Sequence, residues 1–145
     1  MTDMLDSKTS RVVSVTAARM VRLEGNTPVS LPASFHDALL SVNSGNALVV
    51  LVQQSKIIYI IPARSDSVFK LTVETGKLSP GFLTDLGLFF VQYRVNPLFS
   101  KGICFTETSC CYEGYFDQNA FPDGLVQDLK AIKGVLTVSV TVITG

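Results

Sequence analysis

The first 40 residues carry a pattern of β-branched, turn and apolar positions that predicts two strands and a helix. β-branched side chains recur over residues 12–23, which favours extended chain, and residues 24–27 (Glu-Gly-Asn-Thr) supply a turn. A second short strand follows over residues 29–31. Pro32 then sets the backbone for a helical turn, and apolar residues spaced by three and four predict a helix over residues 33–40.

Two apolar runs come next and predict a pair of strands. The runs cover residues 47–53 and 57–61, and the three polar residues between them, 54–56 (Gln-Ser-Lys), form a tight connection. The order over this part of the chain is therefore strand, strand, helix, strand, strand.

A second rhythm begins after a short polar join at residues 66–67. Its predicted elements are a strand from Val68 that gives way at Gly76, a helix over 80–93, strands over 98–105 and 110–116, a helix over 121–133 that Gly134 caps, and a strand over 135–143. This βαββαβ order is that of a ferredoxin-like split unit, so an α+β chain is expected. In the first of these helices, Leu83, Leu86 and Phe90 are expected to face inward, and Gly87 would permit close approach to a sheet.

One set of features over about 50 residues combines a turn, a strand-to-helix join, a short helix and the two apolar runs. Its members are Gly25-Asn26, Val29-Ser30-Leu31-Pro32, residues 35–39, Val42 with Gly45, and residues 48–52 and 57–61. The set resembles the swapped-hairpin family of AbrB, MazE and SpoVT N-terminal domains, in which two chains interleave their hairpins into one barrel. The resemblance implies a dimeric β-barrel, to which each chain contributes half, and hence an obligate homodimer.

The same resemblance implies DNA binding, because family members contact DNA through basic residues on the first strand, the following loop and the short helix. The implied contact residues here are Lys8, Arg11, Arg19, Arg22, Asn26 and His36. The helix departs from the family pattern, since Ser34, His36 and Asp37 stand where DNA-binding relatives often carry arginines. Arg19 and Arg22 would point to opposite faces of a regular strand, so a solvated surface is the alternative interpretation.

Two stretches of the second half carry a further resemblance. They are Leu78-Ser79-Pro80-Gly81-Phe82-Leu83 and residues 129–138, and they are similar to the first loop and the closing helix and strand of ACT domains. The resemblance covers residues 68–143 and implies that an amino acid or similar small molecule binds at the loop. Ser79 replaces the acidic residue that commonly precedes the Pro-Gly of that loop. The implied ligand-binding residues are Lys77, Leu78, Ser79, Pro80, Gly81, Phe82 and Gly102.

The acidic and aromatic residues over 111–117, together with Gly102, could line a pocket that faces this loop. The alternative interpretation is an edge strand that points its polar groups outward.

Charge is unevenly distributed in a chain whose formal net charge is zero. Residues 7–65 hold six basic against two acidic side chains, whereas residues 66–145 hold six basic against eight acidic ones. A basic half points to a polyanion partner. The hydrophobic content of 47% and the mean hydropathy of +0.36 add that some apolar surface is expected to lie between subunits.

The candidate chemistry is sparse. His36 is the single histidine, so a histidine-dependent triad or a multi-histidine metal centre within one chain is excluded, and we expect no cofactor and no catalytic or metal site. Three cysteines leave one unpaired in any internal scheme, which favours a reducing compartment. Folding a hairpin about residues 107–108 would place Cys104 opposite Cys111, so the cysteines are interpreted either as core residues or as a thiol switch between those two.

The sequence predicts three regions: a flexible N-terminus over residues 1–10, a swapped-hairpin domain over 11–65 and an ACT-like domain over 66–145. No membrane span and no secretory signal are expected, which predicts a cytoplasmic protein. The leading hypothesis is a DNA-binding transcriptional regulator that senses a small molecule and is not an enzyme. The alternative is a scaffold protein that does not bind DNA and whose ACT-like domain modulates an enzyme of amino-acid metabolism; a redox sensor is a third hypothesis.

Overall fold

A computed structural model describes residues 17–40 and 45–144 of the chain. In these residues the fold is α+β, with two antiparallel sheets and three α-helices, so the predicted class is confirmed. The elements are α1 (Ala33–Leu40), β1 (Asn46–Val52), β2 (Ile57–Ala63), β3 (Ser67–Thr75), α2 (Pro80–Tyr93), β4 (Phe99–Thr106), β5 (Ser109–Asp117), a 3-10 turn (Gln118–Ala120), α3 (Leu125–Lys130) and β6 (Val135–Thr144).

Residues 17–32 form no strand, so the strands predicted here are wrong for the described part of the single chain. The predicted turn is confirmed: Gly25 has a φ of +46°, and the Thr27 N–H donates to the Glu24 carbonyl oxygen over 2.9 Å. The strand prediction failed because apolar side chains such as Met20, which is 97% exposed, have no sheet or core to pack against. The part of the predicted strand over residues 12–16 lies outside the described residues, as do residues 1–10.

The chain divides into two units between Asp37 and Ala38, within helix α1, whose predicted bounds are confirmed. The second unit contains the β1–β2 hairpin and the rest of the chain. Burial alternates along β1 although residues 47–52 are all apolar: Leu48 and Val50 are buried, whereas Val49 between them is 61% exposed. The hairpin therefore shares a compact unit with the larger sheet, and the domain boundary predicted after residue 65 stays a prediction.

The larger sheet has four strands in the order β4-β5-β3-β6, all antiparallel. Helices α2 and α3 pack on one face, which we call the helix face. Leu71 and Val73 of β3 and Phe116 of β5 point to this face and are fully buried against helix residues that include Leu125 and Leu129. The predicted βαββαβ element order from residue 67 onward is present.

Helix α2 has the predicted bounds, and Leu86 is buried as predicted, but the rest of its inward side differs from the prediction. Ser79 caps its start by accepting the N–H of Phe82 over 3.1 Å, and Pro80 occupies the first turn. Phe82, Leu86 and Phe89 are the buried residues. Because the helix carries apolar residues on neighbouring stripes, helical spacing did not distinguish the buried stripe from the one beside it.

The other three positions that were predicted to face inward have different surroundings in the structure. Leu83 is 54% exposed, so its inward placement is wrong. Phe90 is partly buried against the core. At Gly87 a Cβ atom would meet nothing within 4 Å, so this glycine makes no close approach to the sheet.

Helix α3 is shorter than predicted, spanning Leu125–Lys130 instead of residues 121–133. Gly124, with a φ of +81°, precedes its first turn, and this left-handed conformation interrupts a helix that would start earlier. Gly134 follows at a φ of +102°, and a Cβ atom there would lie 3.2 Å from the Phe82 ring. The helix ends at Lys130 with Ala131 as its C-cap, so the prediction that Gly134 caps it is wrong. Glycine at position 134 is favoured instead by its backbone conformation and by the ring packed against it.

The β4–β5 hairpin pairs its cysteines differently from the prediction. Cys104 lies opposite Cys110 and is joined to it by a disulfide, while Cys111 lies opposite Ile103 and is a free thiol. The prediction that Cys104 faces Cys111 is wrong because the register differs by one residue, and such a shift moves each side chain to the other face of the sheet. Cys110 is buried, as the core interpretation expected.

Candidate functional site

The predicted DNA-contact residues that lie among the described residues are exposed. Arg19, Arg22 and Asn26 are exposed in residues 17–32, and His36 is exposed on α1. Arg22 Nε forms an ion pair with Glu24 Oε1 at 2.9 Å, and Arg19 Nη1 donates to the Ala18 carbonyl oxygen over 2.8 Å. An ion pair this exposed contributes little stability, so Arg22 can exchange its partner for a phosphate at small cost. Lys8 and Arg11 lie outside the described residues.

The predicted ligand loop is built mainly for structure. Pro80 has no N–H group, Ser79 accepts the N–H of Phe82, and the Phe82 ring is buried in the core. Gly81 is left as the residue of this first turn whose N–H has no acceptor among the described residues. A single amide of this kind is a much weaker anion site than a helix start with several unsatisfied N–H groups.

The other members of the predicted ligand set do not gather round that amide. Lys77 is exposed and Leu78 packs against the core. Gly102 lies on β4 opposite Tyr112, and no contact in the described residues joins it to the loop. The structure therefore does not bring the predicted ligand residues together into one site.

A groove lies on the other side of the sheet, against the β1–β2 hairpin. We call this side the hairpin face. At one end the hairpin buries an apolar cluster in which Leu48, Val50 and Ala63 pack with Val68 and with residues of β4, β5 and β6. Beside this cluster a groove of about 360 Å³ remains open. Its walls are β1 with the following turn on one side and β3, β4 and β5 on the other.

Charged side chains from three strands meet in this groove. Lys70 Nζ lies 3.3 Å from Glu113 Oε1 and 5.7 Å from the centre of the Tyr115 ring. Partial burial lowers the pKa of Lys70, but the attraction of Tyr115 and Glu113 outweighs it and leaves the pKa above its ordinary value. Lys101 lies opposite Glu113 in the strand register and forms no ion pair within the described residues. The groove therefore holds two ammonium groups and one carboxylate.

Cys111 is the thiol that lines the groove. Its burial raises its pKa, the carboxylates of Glu113 and Glu74 raise it further, and Lys70 lowers it. The group is therefore a neutral thiol near neutral pH, and a thiol is a poor nucleophile and a poor metal ligand. In the described residues no cluster of three or more histidine, cysteine or acidic side chains could hold a metal ion.

Sequence reasoning found part of this groove. It singled out residues 111–117 as a possible pocket lining, and Cys111, Glu113 and Tyr115 do line one. The partner surface was misplaced, because these side chains face the hairpin and not the loop over residues 77–82. Lys70 and Lys101 were missed. The available signal for Lys70 was a lysine that interrupts the apolar residues of a strand, on one of its two faces.

The thiol pair predicted between Cys104 and Cys111 is contradicted by the disulfide from Cys104 to Cys110. The redox-sensor hypothesis built on that pair is therefore wrong in its choice of residues.

Compared with known proteins, the chain matches no protein-family model and no curated protein. None of the helices in residues 17–40 and 45–144 has the length and apolar content that a membrane span needs.

Proposed function

We propose that the chain is a subunit of a DNA-binding transcriptional regulator that also senses a small molecule. The observation that carries the proposal is the exposed segment over residues 17–30, where Arg19 and Arg22 precede a tight turn that holds Asn26. Flexible cationic side chains that are free of buried partners are suited to phosphate contacts.

Self-association is the second part of this proposal. The basic segment also exposes Met20, Val21 and Leu23, and the β1–β2 hairpin exposes apolar side chains such as Ile58. Apolar surface of this extent needs a cover, and the pattern shared with swapped-hairpin domains supports a second copy of the chain as that cover.

The edge strand β6 adds independent support for a homodimer. It runs for ten residues without a charged side chain, has β3 as its one partner strand among the described residues, and exposes Leu136 and Val142. Long uncharged edges of this kind are templates for pairing with another chain unless they are covered.

The sensing half of the proposal rests on the order of the larger sheet. The arrangement β4-β5-β3-β6 with both helices on one face supports a ferredoxin-like, ACT-like unit. Ligand binding would regulate DNA binding only if the ligand has different affinities for the two arrangements of the dimer.

A scaffold that does not bind DNA is the second candidate. It is favoured by the ion pair between Arg22 and Glu24 and by Asp37 on α1, which reduce the positive charge of the segment. In that case the N-terminal segment would serve only for dimerisation.

Binding of fluorescent random-sequence duplex DNA as salt is raised tests the proposal. We expect the wild-type protein to lose affinity steeply with salt, and the Arg19→Ala/Arg22→Ala variant to bind more weakly with a slope lower by about two per protomer, because each phosphate contact releases about one counterion.

The matched control is Lys130→Ala/Lys133→Ala, which removes the same charge from exposed positions in and after α3. Its salt slope should equal that of the wild type. No binding at low salt would exclude the regulator and favour the scaffold, whereas equal effects of both variants would show attraction by net charge alone.

A further inference from the structure

We propose that the groove on the hairpin face binds a small molecule with one carboxylate and an apolar body, and that Lys101 receives the carboxylate beside the ion pair of Lys70 and Glu113. The inference deepens the proposed sensing function and rests on it only for the regulatory consequence. The site itself is defined by the hairpin and the sheet, and it is separate from the loop over residues 77–82.

The apolar part of the groove is already formed. Val50 is buried at its base, Val52 and Ile103 are half-buried in its walls, and Phe105 is 70% exposed beside them. A ligand that covered Phe105 would remove apolar surface from water, which is the main source of affinity in small pockets.

The charges favour a single negative group. Glu113 neutralises Lys70, and the same ammonium lies 5.7 Å from the centre of the Tyr115 ring, so two contacts hold Lys70 in the groove. Lys101 enters from the neighbouring strand with no ion pair of its own in the described residues. One uncompensated positive charge beside apolar walls matches a monocarboxylate better than a phosphate ester, which carries more negative charge.

The size of the groove limits the ligand. Its volume of about 360 Å³ lies at the lower end of the range of small-molecule sites. A molecule with the size of an aromatic or branched-chain amino acid fits this volume. In an amino acid the ammonium group would approach Glu113, whose side chain remains 41% exposed.

The position of the groove gives the ligand a route to regulation. One wall is β1, which follows α1 in the chain, and α1 follows the basic segment. A molecule that contacts both β1 and the sheet stabilises the packing of the hairpin on the sheet. If the hairpin rearranges when the dimer assembles, such a ligand would therefore shift the equilibrium toward the arrangement in which the hairpin packs on the sheet.

The reactivity of Cys111 gives a direct measurement of ligand binding, because Cys111 is the free thiol in the groove and the other two cysteines are joined in a disulfide. The whole chain is treated with iodoacetamide at about pH 9, where part of the Cys111 thiol is ionised and can react, and the rate of Cys111 alkylation is followed by peptide mass spectrometry. The probes are 3-phenylpropionate, L-phenylalanine and L-leucine at up to about 10 mM, with phenethylamine as the analogue without a carboxylate. We expect the carboxylates to slow alkylation and phenethylamine to have little effect.

Lys101→Met tests the charge contact, with Lys133→Met as the control at an exposed position outside the groove. Affinity for the best probe, measured by titration calorimetry, should fall about tenfold or more in the first variant and stay unchanged in the second. A ligand that binds through its carboxylate alone will favour 3-phenylpropionate, and one that also uses Glu113 will favour L-phenylalanine.

The inference is overturned if none of the carboxylates protects Cys111, if phenethylamine protects it equally, or if Lys101→Met leaves the affinity unchanged. These readouts do not involve DNA. If ligands protect Cys111 but the protein does not bind DNA, the ligand site in the groove is supported and the DNA-binding function is excluded. If the protein binds DNA but no ligand protects Cys111, only the ligand site is excluded.

Discussion

The two faces of the four-stranded sheet are made by alternate residues of the same strands, yet they have different properties. On the helix face, Leu71, Val73 and Phe116 are fully buried among helix side chains. On the hairpin face, Lys70 and Glu113 occupy the neighbouring positions and form an ion pair beside a groove. One face therefore supplies the stability of the unit, and the other offers the chemistry.

This difference follows from what covers each face. Two helices bring large apolar residues to the helix face and exclude water from it, so a polar side chain there would lose its hydration without a partner. The hairpin is a narrow two-stranded cover, and it seals only the end of its face near Val68 and Ile143. Where the cover stops, charged side chains remain in contact with water and with any ligand.

The largest effect is expected when the helix face is damaged. Leu129 of α3 is fully buried, so Leu129→Ala should reduce the free energy of unfolding by about 2–5 kcal/mol through lost burial and a residual cavity. Leu88→Ala in α2 is the matched control, because Leu88 is 61% exposed and its loss should change stability by less than about 0.5 kcal/mol. Urea titration of both variants measures the difference, and similar midpoints would mean that α3 does not seal this face.

A smaller loss is expected from overpacking at a strand glycine. A Cβ atom at Gly114 would lie 2.9 Å from both Phe116 Cε2 and Tyr112 Oη, so Gly114→Ala should cost about 1–3 kcal/mol as the two rings shift. At Gly102, on the adjacent strand, the nearest atom to such a Cβ is the Cys111 carbonyl oxygen at 3.9 Å. Gly102→Ala should therefore be nearly neutral in thermal unfolding, and equal effects at the two glycines would contradict the packing described for Tyr112 and Phe116.

The smallest effect concerns pH. Burial raises the pKa of the Tyr112 hydroxyl, and a side-chain hydrogen bond with Ser100 lowers it less than burial raises it. The folded state therefore favours the neutral phenol. The contribution of Tyr112 to the free energy of unfolding is complete below the unfolded pKa of about 10 and is lost as pH rises above it. Tm measured from about pH 8 to about pH 11 should fall less steeply in Tyr112→Phe than in the wild type. Tyr59→Phe, at an exposed tyrosine of β2, is the control and should keep the wild-type slope.

Local signals predicted much of the second unit. Pro80 and the apolar residues after it located the start of α2, and alternation along residues 135–143 located β6, because proline and side-chain period act over a few residues. The same signals failed for residues 17–32. There β-branched composition favoured extended chain, but a strand also needs a partner for its backbone, and the single chain offers none to the described residues.

The candidate site was less accessible to sequence reasoning than the elements were. Lys70, Lys101 and Glu113 come from three strands, and they meet only because the order β4-β5-β3 places those strands side by side. The groove also needs β1, which the sequence assigned to a different domain. No local pattern carries that information, since it depends on which face of the sheet the hairpin covers.

The sequence by itself determined the α+β class, the element order after residue 66 and the bounds of α1 and α2, because caps, glycines and hydrophobic period are local. Only the tertiary structure decided that Cys104 pairs with Cys110, that Phe82 and Phe89 are buried in place of Leu83, and that the hairpin and the sheet enclose a charged groove. Strand register and the face on which a side chain lies are set by contacts between residues that are distant in the sequence. A register shift of one position exchanges buried for exposed side chains, although the local conformational preferences of the residues hardly change.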